Sequence, residues 1–116
     1  MVKNLSDNVF LIRFKALYEF YKGAMSNNME PEHLMNELAH LLGISRMFLY
    51  GNLRYLDVFD YLNSDENQIN FTITYRGTKL IEKVTEGDVN YTDQNILDYS
   101  DQIIRLFLEG AEKYGS

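Results

Sequence analysis

The stretch Leu38–Leu56, LAHLLGISRMFLYGNLRYL, decides how the rest of the chain is read. Two short apolar-periodic segments meet at Gly43. The first closes on Leu38, Ala39, Leu41 and Leu42. The second carries Leu49, Leu53 and Leu56 at i, i+4 and i+7, one face of a helix. A tight turn between helices calls for a left-handed residue, which glycine adopts without steric cost, and Ile44 follows as its buried plug. Ser45 stands where its hydroxyl caps the second helix. Ala39 is small enough for the two helices to cross closely. This is the spacing of a helix-turn-helix, whose second helix is the one offered to a DNA major groove.

With Leu49, Leu53 and Leu56 turned inward, helical geometry sends Met47, Tyr50, Gly51 and Arg54 outward, with Arg46 flanking them. Arg54 suits a guanine edge, and Tyr50 or Arg46 suits a phosphate. Gly51 costs about 1 kcal/mol of helix propensity. It either lets a backbone or base approach closely or is neutral surface.

These residues resemble the winged-helix transcriptional regulators of bacteria and archaea, the broad MarR-, ArsR- and PadR-like group. The likeness rests on Leu38-Ala39, Leu42-Gly43-Ile44-Ser45-Arg46, Leu49-Tyr50, Leu53 and Leu56. Downstream, Ile73-Thr74-Tyr75-Arg76-Gly77 with Leu80-Ile81 is similar to the family's L-T-x-x-G-x-x-L opening of the helix after the wing. The resemblance implies an α+β, mostly α fold over residues 1–116: a winged helix-turn-helix with a two-stranded β-wing and a C-terminal dimerisation helix. It also implies a homodimer that binds double-stranded DNA, most simply as a repressor, with no cofactor. The DNA-facing set is then Ser45, Arg46, Met47, Tyr50, Gly51 and Arg54, with Lys15 and Lys22 as phosphate contacts. Gly51 departs from the family, where a longer polar or basic residue is usual.

In chain order, Asn4–Asn8 offers capping residues ahead of a helix over 9–25, in which Phe10, Phe14, Leu17 and Tyr21 recur at helical spacing. Glu30-Pro31-Glu32 opens the helix-turn-helix, 31–56, with proline tolerated in a first turn and acids favoured by the dipole. His33, Glu37 and His40 share one face there. The spacing suits a metal, but with only two histidines in the chain an exposed polar stripe is the better reading. Val58–Leu62 and Ile69–Ile73 read as the strands of a wing over 58–73. The intervening Asn63–Gln68 carries two acids and no base, against the commonly basic wing tips of DNA-binding members. Thr74 caps a helix over 75–84. Thr92-Asp93 starts a last helix, 93–114, whose apolar face looks too wide for one small domain. Ile96, Tyr99, Ile103, Phe107 and Ala111 are therefore expected at a dimer interface, as the family's terminal helices imply.

Composition bounds the rest. The 116 residues are 46% hydrophobic and 14% aromatic, as in a folded domain. Cysteine is absent, which excludes disulfides and thiolate metal sites. No apolar run reaches membrane-spanning length and no charged-then-apolar leader opens the chain, so a cytoplasmic protein is expected. There is no glycine-rich phosphate loop or recognisable catalytic constellation, so enzymatic chemistry is not expected. The net charge of −6 is awkward for a DNA binder. It is concentrated after residue 85, where seven acids face only Arg105 and Lys113. A rival therefore stands beside DNA binding: a winged helix used as a protein-interaction module, for instance an acidic inhibitor or assembly factor.

Overall fold

Between Leu11 and Phe20 seven of ten residues are apolar, and a helix apolar on all sides has to be buried on all sides. In the computed structural model, which describes residues 3–26, 31–67 and 70–114 (without the side chains of 31–34 and 114), this is what α1 does. α1 (Val9–Ser26) follows a single 3₁₀ turn at Leu5–Asp7 and runs through the middle of the molecule. Leu11, Phe14, Ala16, Leu17 and Tyr18 are fully buried. Around it stand α2 (Pro31–Leu42), α3 (Arg46–Val58), the strands β1 (Leu62–Ser64) and β2 (Phe71–Ile73), α4 (Tyr75–Thr85), α5 (Asp93–Asp98) and α6 (Ser100–Tyr114). The architecture is α+β and mostly helical, with one antiparallel two-stranded sheet in the register Leu62↔Ile73, Asn63↔Thr72, Ser64↔Phe71. Leu62 and Phe71 point into the core while Asn63 and Thr72 face solvent, the period-two alternation of a half-buried hairpin. Among the described residues no helix is long and apolar enough to cross a membrane.

Two expected elements are corrected. The first strand does not occupy Val58–Leu62, because α3 continues through Val58 and ends in a Schellman turn. Asp60 takes the left-handed conformation at φ 64°, its N–H donates to Asp57 O at 3.0 Å, and Tyr61 N–H donates to Leu56 O at 2.7 Å. The strand starts only after that turn. Of the second, the structure describes Phe71–Ile73 as strand, and Ile69 lies outside the described residues. The last helix is likewise not continuous over 93–114. It breaks at Tyr99, whose N–H is shared between Asn95 O and Leu97 O, beside Asp98, Ser100 and Asp101, residues that compete with helical hydrogen bonding. The break lets α5 and α6 both fold back on the subunit.

The hairpin is fastened by Thr74. Its hydroxyl accepts from Gly77 N–H at 3.0 Å, capping α4, and donates to Asp60 O at 2.6 Å. Gly77 sits so close to the chain after α3 that a Cβ there would lie 2.2 Å from Tyr61 O and 2.9 Å from Ile73 Cγ1. Gly77→Ala is therefore expected to lower the urea-unfolding free energy by about 1–3 kcal/mol through overpacking. Asp60→Gly, which relaxes the left-handed residue, should leave it unchanged or raise it by up to ~1 kcal/mol. An unaltered midpoint for Gly77→Ala would contradict this packing.

Candidate nucleic-acid interface

The α2–α3 connection is built by backbone rules that the local sequence satisfies. Gly43 is left-handed at φ 66°, its N–H donates to His40 O at 3.1 Å, and Ile44 N–H donates to Ala39 O at 3.1 Å. This is the same Schellman turn that ends α3. Ser45 then caps α3, its hydroxyl accepting from Phe48 N–H at 3.1 Å. Leu49, Leu53 and Leu56 are fully buried, as their spacing predicts, so the orientation of α3 about its axis is fixed by the core.

That orientation leaves one face of the first two turns of α3 open to solvent. Ser45, Arg46 and Gly51 are exposed, and Met47 is 86% exposed. A Cβ on Gly51 would meet no atom within 4 Å, so nothing in the subunit requires glycine there. Tyr50 is half-buried, its ring meeting that of Phe71 nearly edge-on at 6.1 Å, which links the helix to the hairpin. Arg54 is also half-buried, and its Nη1 lies 3.6 Å from Asp57 Oδ2. Asp57 in turn accepts from the Ser64 hydroxyl at 2.8 Å. Arg54 is thus held at the helix surface by a carboxylate that also grips β1. The hairpin tip at 65–67 is exposed, and Gln68 lies outside the described residues.

Three residues that the sequence did not single out complete this face. Phe48 is 47% exposed, and together with Val9, Ser45, Met47 and Gly51 it borders a shallow groove of about 420 Å³. Arg13 and Asn52 form the rest of that groove. The Arg13 guanidinium stacks 3.7 Å from the centroid of Tyr55, and its Nε donates to Asn52 Oδ1 at 2.9 Å. Asn52, buried in α3, donates its own side-chain N–H to Phe48 O at 2.9 Å. Burial lowers the Arg13 pKa from its ordinary value, while the neighbouring Tyr55 acts the other way. The group keeps its charge and serves as a strut between α1 and α3. No local pattern in the sequence signals this role, because its partner stands 39 positions away.

Lys15 and Lys22 do not belong to this interface. Lys15 is buried and ion-paired with Asp93. Lys22 Nζ lies 2.6 Å from Glu19 Oε2 and 5.0 Å from the Tyr18 ring centroid, in a groove shared with Val89. Both lysines thus project from the side of α1 that meets the 88–93 segment, not the side that meets α3. The expected dimer set is also divided. Ile96, Ile103 and Phe107 are fully buried within the subunit, Phe107 stacking on Phe10 at 5.8 Å, and so are closed to a second copy. Tyr99 is exposed and Ala111 half-buried. Of the polar stripe on α2, Glu37 and His40 are exposed, and the His33 side chain lies outside the described residues. Among the described residues no three His, Cys, Asp or Glu side chains converge as metal ligands would.

Comparison with protein-family models, with curated proteins and with solved structures returned no match for this chain.

Because Arg13 satisfies buried Asn52, Arg13→Met is expected to cost about 1–3 kcal/mol of stability by orphaning that amide oxygen. The double variant Arg13→Met with Asn52→Leu should recover part of the loss in chemical denaturation. Additive losses would show that the two side chains are not coupled.

Proposed function

We propose that this chain binds double-stranded DNA as a winged-helix transcriptional regulator, inserting the outer face of α3 into the major groove. The observation that carries the reading is the exposed face of the first two turns of α3, held by the Gly43 turn and the Ser45 cap and flanked by a hairpin. An exposed helix face suits a groove about 12 Å wide. Arg46 and Arg54 supply charge at the two ends of that face, and Tyr50 is held between them by Phe71. Met47 and Gly51 offer apolar contact, for which a thymine methyl is the natural partner. The homodimer expected of such a regulator would use residues left on the outside of α6, where Leu108 is 54% exposed and Ile104 half-buried, with Tyr99 and Ala111.

A second reading is favoured by one specific observation. Met47 and Phe48 expose apolar side chains side by side on a chain of net charge −6, which suits a protein groove as well as DNA. Titration of the protein against a genomic fragment library at low salt separates the two. The DNA reading predicts retention of a subset of fragments, with Arg46→Glu and Arg54→Glu abolishing it and Arg54→Ala costing about 1–3 kcal/mol with relaxed base preference. With Arg46 on a phosphate and Arg54 on a base in each protomer, a dimer neutralises about two phosphates, so log K should fall with log salt at a slope of about −2. If no fragment is retained, or if Arg54→Glu leaves retention intact, the interaction-module reading replaces it.

A further inference from the structure

A second group of cations lies away from α3. It has eleven lysines and arginines, and four of them, Arg76, Lys79, Lys83 and Lys113, line one groove of about 400 Å³ between α4 and α6. Glu109 is the one carboxylate among its lining residues. Lys79 and Glu82 approach only to 3.8 Å with both side chains in solvent, a pairing that holds little charge in place. In a protein of net charge −6 this is a local reversal of sign.

The groove has a fixed end and an exposed rim. Arg76 is fixed: its Nε donates to Phe59 O at 3.0 Å, and its Nη2 to Gly110 O at 3.1 Å and to the Tyr61 hydroxyl at 3.3 Å. Its charge is thereby fixed at the base of the groove. Gly110 makes room for this arrangement, since a Cβ there would lie 2.2 Å from the Tyr61 hydroxyl and 3.1 Å from Arg76 Nη2. On the rim Lys83 and Lys113 are exposed, and Tyr75 presents a ring that is 78% exposed. Lys79 Nζ lies 5.2 Å from that ring's centroid. An aromatic so exposed contributes little to the subunit's own core.

A cationic groove with an exposed aromatic at its rim is the combination that holds a phosphodiester chain whose bases are free to stack. A duplex buries its base faces, and an acidic peptide offers charge without flat rings. We propose that the α4–α6 groove binds single-stranded nucleic acid, its phosphates along Arg76, Lys79, Lys83 and Lys113 and one base stacked on Tyr75. This surface is separate from the outer face of α3, and its binding does not rest on the duplex reading.

Fluorescence anisotropy with labelled dT12 and rU12 at low salt tests it, with a 12-mer duplex and a twelve-residue polyglutamate as comparators. Both single strands, or one of them, should bind, the preference telling DNA from RNA. Tyr75→Ala should weaken binding about tenfold, as loss of one stacked base implies. Lys79→Glu with Lys83→Glu should weaken it further, and Arg46→Glu should leave it unchanged. These positions are on the surface, so the variants are expected to fold, which circular dichroism checks. The proposal is overturned if neither oligonucleotide binds, or if Tyr75→Ala and the charge reversals have no effect. Equal competition by polyglutamate would instead identify an acidic protein as the partner.

Discussion

A helix enclosed by its neighbours must find partners for its buried polar groups, and four polar groups of α1 find theirs on other elements. Arg13 reaches Asn52 of α3, and Lys15 pairs with Asp93 at the start of α5. The Tyr18 hydroxyl donates to Asp88 O at 2.7 Å and accepts from Tyr91 N–H at 2.8 Å, pinning the segment between α4 and α5. Tyr21 reaches Glu82 of α4 at 3.4 Å. An unpaired buried polar group costs about as much as a good contact gains, so each pairing selects one arrangement of the surrounding elements. The apolar residues of α1 drive collapse, and these four fix which element lies on which side. The pose of α3, and with it the exposed face, follows from that choice.

α3 is bracketed by two turns of one kind, and they differ in how readable they are. Leu42-Gly43-Ile44 announces a left-handed stop because glycine is the usual residue there. Phe59-Asp60-Tyr61 makes the same hydrogen bonds with aspartate, amid residues whose branched and aromatic character suggests a strand. The tertiary grip of Thr74 on Asp60 O, with Tyr61 sunk into the core, decides the matter, and none of that is local. The break at Tyr99 is hidden in the same way, because the apolar period carries across it while the backbone does not.

The exposed face of α3 was legible because Leu49, Leu53 and Leu56 fix its inward side and the outward residues follow by geometry. Lys15 was misplaced by the rule that lysines on a helix point to solvent, which fails where the helix is enclosed by others. Lys22 keeps part of its exposure but lies on the side of α1 that meets the 88–93 segment. Ile96, Ile103 and Phe107 were assigned outward because the amount of apolar surface that α1 covers cannot be read along the α5–α6 sequence. Arg13 and the α4–α6 groove depend on residues distant in the chain, which meet only in three dimensions.

We propose that two separate surfaces meet nucleic acid, the outer face of α3 for duplexes and the α4–α6 groove for single strands. Backbone amide shifts in an NMR titration test it most directly. A duplex fragment retained by the protein should perturb amides of Arg46–Arg54 and leave those of α4 and α6 in place, whereas dT12 should do the reverse. Perturbation of neither surface by either ligand, or of one common set by both, would contradict it.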